Sequence, residues 1–322
     1  MKKSKVISIT ISVLGVVTIS AIGIGANYLY NLALNPKVSK AAIFNPENNT
    51  SVNNLDQDET SGSVNEDDES WVLNHQSLDH LYLTSNDNLK LHNYLLTNKD
   101  SHKWAVVVHG YTSEAIKMSS YSKKFYELGY NIIMPDLRGH GQSEGHYIGM
   151  GWDERLDIID VVNHIIDTDP DAEIVLFGVS MGAATVMNVS GEVLPSNVKA
   201  IIEDCGYTSS WDEFAYQLKN MYNLPSFPIL HGASLISKIR AGYSFNEGSP
   251  LTQLPKSITP TLFIHGDSDG FVPFTMLEDL YNASPVEKEK LIIKGAQHAE
   301  SHEVDPNLYW STVSSFLNKY IS

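Results

Sequence analysis

A single cysteine, Cys205, stands among 322 residues. An intramolecular disulfide is therefore excluded, and so is a zinc site built on thiolates. Basic residues are also scarce: 22 Lys and Arg face 38 Asp and Glu, a formal net charge of −16. Phosphate backbones are bound by clustered Lys and Arg, so nucleic acid is excluded as a partner and an anionic lipid headgroup is disfavoured as the main one. Two segments lack charge of one or both signs. Residues 6 to 30 carry none at all, and residues 41 to 70 hold eight acidic residues and no basic one.

The first of these segments follows Lys2, Lys3 and Lys5 and is rich in Ile and Val. About 25 residues at roughly 1.5 Å each reach across a hydrocarbon core of about 30 Å. The run is longer than the apolar region of a cleaved signal peptide, and Gly23-Ile24-Gly25 is a poor cleavage site. The expectation is an uncleaved transmembrane anchor over residues 1–30. Its lysines stay in the cytoplasm and everything after Tyr30 lies outside, giving a single-pass protein of the cell membrane, or a secreted one if the anchor is cut. Residues 31–70 read as an acidic disordered tether, since one-signed charge and low hydrophobicity leave too little to bury against the ordering entropy.

From residue 71 to 322 strand and helix signals alternate. Short strands are expected at Leu81-Tyr82-Leu83, Leu89 to Leu96, Trp104 to Val108, Asn131 to Met134, Ile174 to Phe177, Lys199 to Ile202, Thr261 to Ile264 and Leu291 to Ile293. Helices are expected over Met118–Leu128, Trp152–Asp167 and Tyr309–Tyr320. The pattern predicts an α/β fold, a mainly parallel sheet with helices on both faces. Trp211 to Pro255 is too long for an ordinary crossover and carries Phe214, Tyr216, Tyr222, Phe227 and Tyr243, so a helical cap over about 211–255 is expected there.

Gly178-Val179-Ser180-Met181-Gly182 is a G-x-S-x-G sequence between a strand and a helix. Such a turn exposes the serine hydroxyl, and its small neighbours let strand and helix come close. A serine nucleophile needs a base, and the base needs an orienting acid. Asp269 follows the strand at Thr261 to Ile264, and His298 follows the strand at Leu291 to Ile293, in the chain order Ser, Asp, His. Asp267 and Asp204 compete for the acid, and His302 for the base. The loop after the strand ending at Val108 and the residue after the nucleophile supply oxyanion donors, which assigns the backbone N–H groups of Tyr111 and Met181. His109 reads as structural, and Cys205 as a small buried residue at a strand end. His298 and His302 stand four residues apart, but they lack the zinc-protease pattern, so no metal or cofactor is expected.

Five motifs now stand in order: His109-Gly110-Tyr111-Thr112, Pro135 to Ser143 (PDLRGHGQS), Gly178 to Gly182, His265 to Pro273 (HGDSDGFVP) and Gly295-Ala296-Gln297-His298. On these the chain from about Trp71 onward resembles the α/β-hydrolase superfamily. It is most similar to its membrane-anchored, extracytoplasmic bacterial members, which are related to serine aminopeptidases and prolyl oligopeptidase catalytic domains. The resemblance implies that the H-G-x-x-D-x-x-V-P segment supplies the acid, here Asp269, and that Asp136 and His140 shape a turn. The expected activity is cleavage of carboxylic esters, small or lipid-like, through an acyl-enzyme. The alternative is a peptidase or aminopeptidase, whose substrate ammonium would need a carboxylate such as Glu203, Asp212 or Glu213. A non-catalytic surface binding protein would lack a triad member, and none is lacking.

Overall fold

The computed structural model describes residues 20–40, 43 and 65–322. Eight strands form one sheet in the order β1-β2-β4-β3-β5-β6-β7-β8. They are β1 (Leu78–Thr84), β2 (Lys90–Leu96), β3 (Lys103–Val108), β4 (Asn131–Pro135), β5 (Glu173–Val179), β6 (Val198–Asp204), β7 (Thr261–Gly266) and β8 (Lys288–Ile293). β1 and β2 run antiparallel to their neighbours, and every pair from β4 to β8 is parallel. The central strands are apolar throughout because both of their faces are covered. Trp104, Val106 and Val108 of β3 pack into one core layer and Ala105 and Val107 into the other, as the two-residue period of a strand requires.

Both edge strands extend beyond their expected bounds. β8 begins at Lys288 rather than Leu291, and β1 covers Leu78 to Thr84 rather than the three residues around Tyr82. One flank of each is open, so charged residues take ladder positions without being buried.

In chain order the helices are α1 (residues 20–34), α2 (Glu66–Leu73), α3 (Ser119–Glu127), α4 (Glu154–Thr168), α5 (Met181–Ser190), α6 (Ser210–Tyr222), α7 (Ile229–Arg240), α8 (Pro250–Gln253), α9 (Thr275–Ala283), α10 (Ser301–Val304) and α11 (Pro306–Leu317). α6 and α7 stand between β6 and β7, where the aromatic-rich insertion lies. α11 starts three residues before the expected Tyr309, because the Asp305 side chain accepts from Leu308 N–H and Pro306 occupies the first turn.

The two ends of the presumed tether differ from expectation. α1 runs straight through the boundary drawn at Tyr30, and its Ala26, Tyr30, Leu32 and Leu34 are buried against the domain. Tyr111 Oη donates to Ala33 O at 2.6 Å, and Ile148 N–H donates to Leu34 O at 2.8 Å. The buried Lys40 ammonium closes the helix end, donating to Leu32 O at 2.6 Å and to Asn35 O at 2.7 Å. No helix of the described residues is long and apolar enough to cross a membrane. The expected span is thus corrected at its C-terminal end, where a four-residue stripe meets protein. Residues 1–19 lie outside the described residues.

At the other end, the acidic run Glu66 to Glu69 is the first turn of α2, where carboxylates favour the helix dipole. Lys123 Nζ meets Asp68 at 2.6 Å, Lys117 Nζ meets Glu69 at 3.1 Å, and Val72 is fully buried. The disordered segment expected to Ser70 therefore cannot extend past residue 64, and residues 44–64 lie outside the described residues.

The support under the site is β5, whose Phe177 is fully buried against Tyr121 and Phe125. Phe177→Ala is expected to lower unfolding stability by about 3–5 kcal/mol, the usual cost of emptying an aromatic core position. Urea unfolding followed by tryptophan fluorescence measures it, and a loss under about 1 kcal/mol would contradict this packing.

Candidate active site

β5 ends at Val179 and α5 opens at Met181, so Ser180 is the whole of the turn between them. Its φ of 57° and ψ of −117° place a non-glycine residue in a strained region. The motif's glycines explain how the turn closes. A Cβ on Gly182 would collide with the Val108 carbonyl of β3, and one on Gly178 would collide with the Gly182 carbonyl. Ser180 N–H donates to Asp204 O at 2.8 Å, which ties the turn to the end of β6.

The structure brings Ser180, His298 and Asp269 together. His298 Nε2 lies 2.8 Å from Ser180 Oγ, and His298 Nδ1 lies 2.7 Å from Asp269 Oδ2. Asp269 Oδ1 accepts from the backbone N–H groups of Phe271 and Val272, each at 2.9 Å. Burial opposes ionisation of Asp269, but hydrogen bonds from His265 and His298 outweigh it and hold the carboxyl well below the usual carboxylate range. An ionised Asp269 can only accept, so the His298 proton sits on Nδ1 and leaves Nε2 to accept from the serine hydroxyl.

The competing residues are engaged elsewhere. Asp204 Oδ2 accepts from Tyr309 Oη at 2.9 Å within the core. Asp267 is exposed and accepts from Gly295 N–H at 2.7 Å across a turn. His302 Nδ1 lies 2.7 Å from Tyr121 Oη, so it is not presented to the serine or to a shared site with His298. His109 fastens its own loop: Leu137 N–H donates to Nε2 at 3.0 Å, which puts the proton on Nδ1 and points it at Gly110 O, 2.8 Å away. Asp136 binds His92 Nδ1 at 2.7 Å and accepts from Ala115 and Gln142 N–H, as a turn-shaping residue does.

Cys205, Asp269 and His298 present ligand-type atoms within 4.8 Å of one another. Asp269 and His298 already bond each other, and burial pushes the Cys205 thiol well above its ordinary value, against the thiolate a metal would need.

Met181 N–H belongs to the first turn of α5, whose amides have no partner within the helix. Tyr111 sits in the loop after β3, beside the serine, and its ring lines the cavity onto which Ser180 opens. That cavity has a volume of about 70 Å³. Its walls are apolar: Phe214 and Leu218 of α6, Phe245, and Leu29, Leu32 and Ala33 of α1. One carboxyl enters it, from Glu213. Gln217 Nε2 donates to Glu213 Oε1 at 2.8 Å, while Oε2 is buried with no hydrogen-bond partner. Burial, with Asp269 and Asp212 adding to it, pushes the Glu213 carboxyl up to about 8. The other two carboxylates proposed for an ammonium are used in the fold. Glu203 accepts from Gly206 N–H at 3.0 Å, and Asp212 accepts from the hydroxyls of Thr208 and Ser209.

Two features escaped the sequence reading. His265 Nε2 lies 3.2 Å from Asp269 Oδ2, a second imidazole on the acid, and nothing in the spacing distinguishes it from a turn residue. α1 as a pocket wall was also missed, although Asn27, Asn31 and Asn35 at four-residue intervals mark a stripe unsuited to lipid.

Residues 99–218 match the family model described as serine aminopeptidase, S33. The uncharacterized protein YqkD of Bacillus subtilis is 32% identical over 226 residues, which span 70% of this chain and 74% of that protein. The uncharacterized protein YfhR of Escherichia coli is 28% identical over 178 residues, 54% of this chain and 55% of YfhR. Among solved structures, the Pyrococcus furiosus esterase Pf2001 superposes with a TM-score of 0.63 at 24% identity, covering 81% of this chain and 96% of that one. The Pyrococcus horikoshii acylaminoacyl peptidase gives 0.56 at 17% identity, covering 76% of this chain and 41% of that one. At these identities the two structures speak for the fold alone. Sheet order, strained serine turn and the match to YqkD agree, and the chain belongs to the α/β-hydrolase superfamily.

Proposed function

We propose that the protein is a serine hydrolase that cleaves carboxylic esters with an apolar acyl group through an acyl-enzyme. The observation that carries this reading is the line Ser180–His298–Asp269, with spacings of 2.8 and 2.7 Å, opening onto a cavity with apolar walls. Ser180 Oγ attacks the carbonyl carbon while its proton passes to His298 Nε2. The C–O bond to the leaving group then breaks, and the same proton leaves with the alcohol. Water repeats the sequence to release the acid. Asp269 holds the imidazole orientation and offsets its transient charge, and the N–H groups of Tyr111 and Met181 receive the oxyanion.

Burial pushes the Glu213 carboxyl up to about 8, so at neutral pH its protonated form dominates and adds no charge to the pocket wall. This favours an apolar acyl group. Its unpartnered oxygen is also the one observation that favours a second reading, an aminoacyl substrate whose ammonium pairs with ionised Glu213.

Membrane attachment is proposed on the sequence. Residues 6–25 are uncharged and follow three lysines, and about 20 residues suffice to span a bilayer. On this reading the hydrolase domain faces away from the cytoplasm. The full chain is expected to stay with the membrane fraction after an alkaline wash; recovery in the wash would sink this proposal.

Ser180→Ala and Asp269→Asn are expected to lower kcat on p-nitrophenyl esters by about 10⁴-fold or more, with folding retained. A fluorophosphonate probe is expected to label the wild type and not Ser180→Ala. Wild type that folds but neither labels nor cleaves esters would refute the reading.

Glu213 separates the substrates. For apolar esters, KM is expected to rise several-fold above about pH 8, as a charge forms in the pocket. Glu213→Gln should keep KM flat to pH 9.5 with kcat little changed. A loss of about 100-fold on aminoacyl p-nitroanilides in Glu213→Gln, with apolar esters untouched, would install the aminopeptidase reading instead.

A further inference from the structure

Ser180 opens onto a cavity with two walls of different origin. One wall is the cap, through Phe214 and Leu218. The other comes from more than a hundred residues earlier in the chain, through Leu29, Leu32 and Ala33 of α1. This second wall is fixed at several points. The Lys40 ammonium holds its last carbonyls, Ile148 N–H donates to Leu34 O, and the Arg240 guanidinium of α7 lies 5.1 Å from the Tyr30 ring centroid. Tyr111 joins it to the chemistry. The Tyr111 hydroxyl donates to Ala33 O at 2.6 Å, and its backbone belongs to the loop proposed to receive the oxyanion.

We propose that α1 is the specificity-determining wall of the acyl site, and that Leu29 on this wall sets the length of acyl chain accepted. The proposal rests on the reading of Ser180 as an acylated nucleophile. The cavity volume sets the scale. The cavity is small, about 70 Å³, and its walls are apolar, so the substrate class is esters of aliphatic acids whose chain the cavity limits. A chain that outgrows the cavity on this side presses on α1, and the contacts at Lys40, Ile148 and Arg240 resist its displacement because packed interiors yield little. Leu29 is the residue to alter, since it faces the cavity and is only half-buried.

The test uses the full chain in detergent and a series of p-nitrophenyl alkylphosphonates with alkyl groups of two to twelve carbons. Ser180 Oγ attacks phosphorus, its proton passes to His298 and p-nitrophenolate leaves, so the rate reads alkyl fit whether the natural bond is an ester or a peptide. Wild type is expected to show a rate optimum within this series. Leu29→Trp should move the optimum to shorter chains and lower the ten-carbon to four-carbon rate ratio about tenfold or more, in line with the effect of a misfit methylene in an apolar pocket. Leu29→Ala should move the optimum the other way and raise that ratio at least threefold. General damage to the fold cannot produce opposite shifts, and Leu29→Ala decides alone if Leu29→Trp does not fold. Ratios within twofold of wild type in Leu29→Ala overturn the wall while leaving the nucleophile intact. If no phosphonate inactivates the wild type, the serine-hydrolase reading itself fails and the acyl wall falls with it.

Discussion

The molecule is organised around the place where the end of β5 passes under the end of β3. Val108 O lies where a Cβ of residue 182 would be, and Gly182 O lies where a Cβ of residue 178 would be. Only with both side chains missing can α5 start this close to the sheet, and only then does Ser180 take its φ of 57°. A strained residue of this kind costs about 1–3 kcal/mol and persists when its surroundings over-determine it. Here they do: Val179 and Met181 on either side are buried, and Ser180 N–H is bonded to the neighbouring strand. The parallel sheet then brings the loops after β3, β7 and β8 to the same edge, which is where Tyr111, Asp269 and His298 arise.

Burial alone does not decide the charge of a group in this site. Asp269 and Glu213 are both buried, yet Asp269 is held ionised and Glu213 is pushed up to about 8. Asp269 receives two backbone N–H donors and two imidazoles; Glu213 receives one amide from Gln217 and leaves an oxygen unpartnered. Hydrogen bonds to the charged form offset desolvation in the first case and fall short in the second. A charged acid behind the histidine and an uncharged pocket in front of the serine suit an apolar acyl group. The same contrast limits the aminoacyl alternative, because an incoming ammonium would have to draw the proton off Glu213 as it binds.

Much of the site was legible because its chemistry is written in short segments. G-x-S-x-G demands small residues for steric reasons, and Asp269 and His298 follow strands whose apolar character is local. The choice of Asp269 over Asp267 came from the resemblance; its physical reason is visible in the turn, where Phe271 and Val272 N–H groups close on Asp269 while Asp267 faces solvent. His265 on Asp269 and α1 over the pocket were not legible in the same way, and Glu213 was legible only as one of three candidate carboxylates. Each depends on a contact between distant parts of the chain, such as Tyr111 with Ala33, and no local pattern encodes the partner. The acidic run at Glu66 misled for a related reason. Its charges look like solvated coil, but Asn65 caps the helix and lysines from α3 and the turn before it meet the acids.

An apolar stretch has two ways to escape water, and at the start of this chain the composition alone does not separate them. Ile24 is 72% exposed and Tyr28 53%, whereas Ala26, Tyr30 and Leu34, at steps of four, are nearly or fully covered. The helix thus packs Ala26, Tyr30 and Leu34 against protein while its first turns leave Ile24 and Tyr28 open. That arrangement fits a segment that leaves a bilayer and docks before its hydrophobic character ends, with the asparagines at 27, 31 and 35 marking the change. If the membrane proposal holds, the pocket wall follows the spanning residues directly in the chain. The distance between bilayer and serine is then set along α1, at about 1.5 Å per residue, because α1 itself is packed beside Ser180. An apolar acyl chain leaving the lipid would then meet the α1 wall of the cavity, at Leu29, before the rest of the domain.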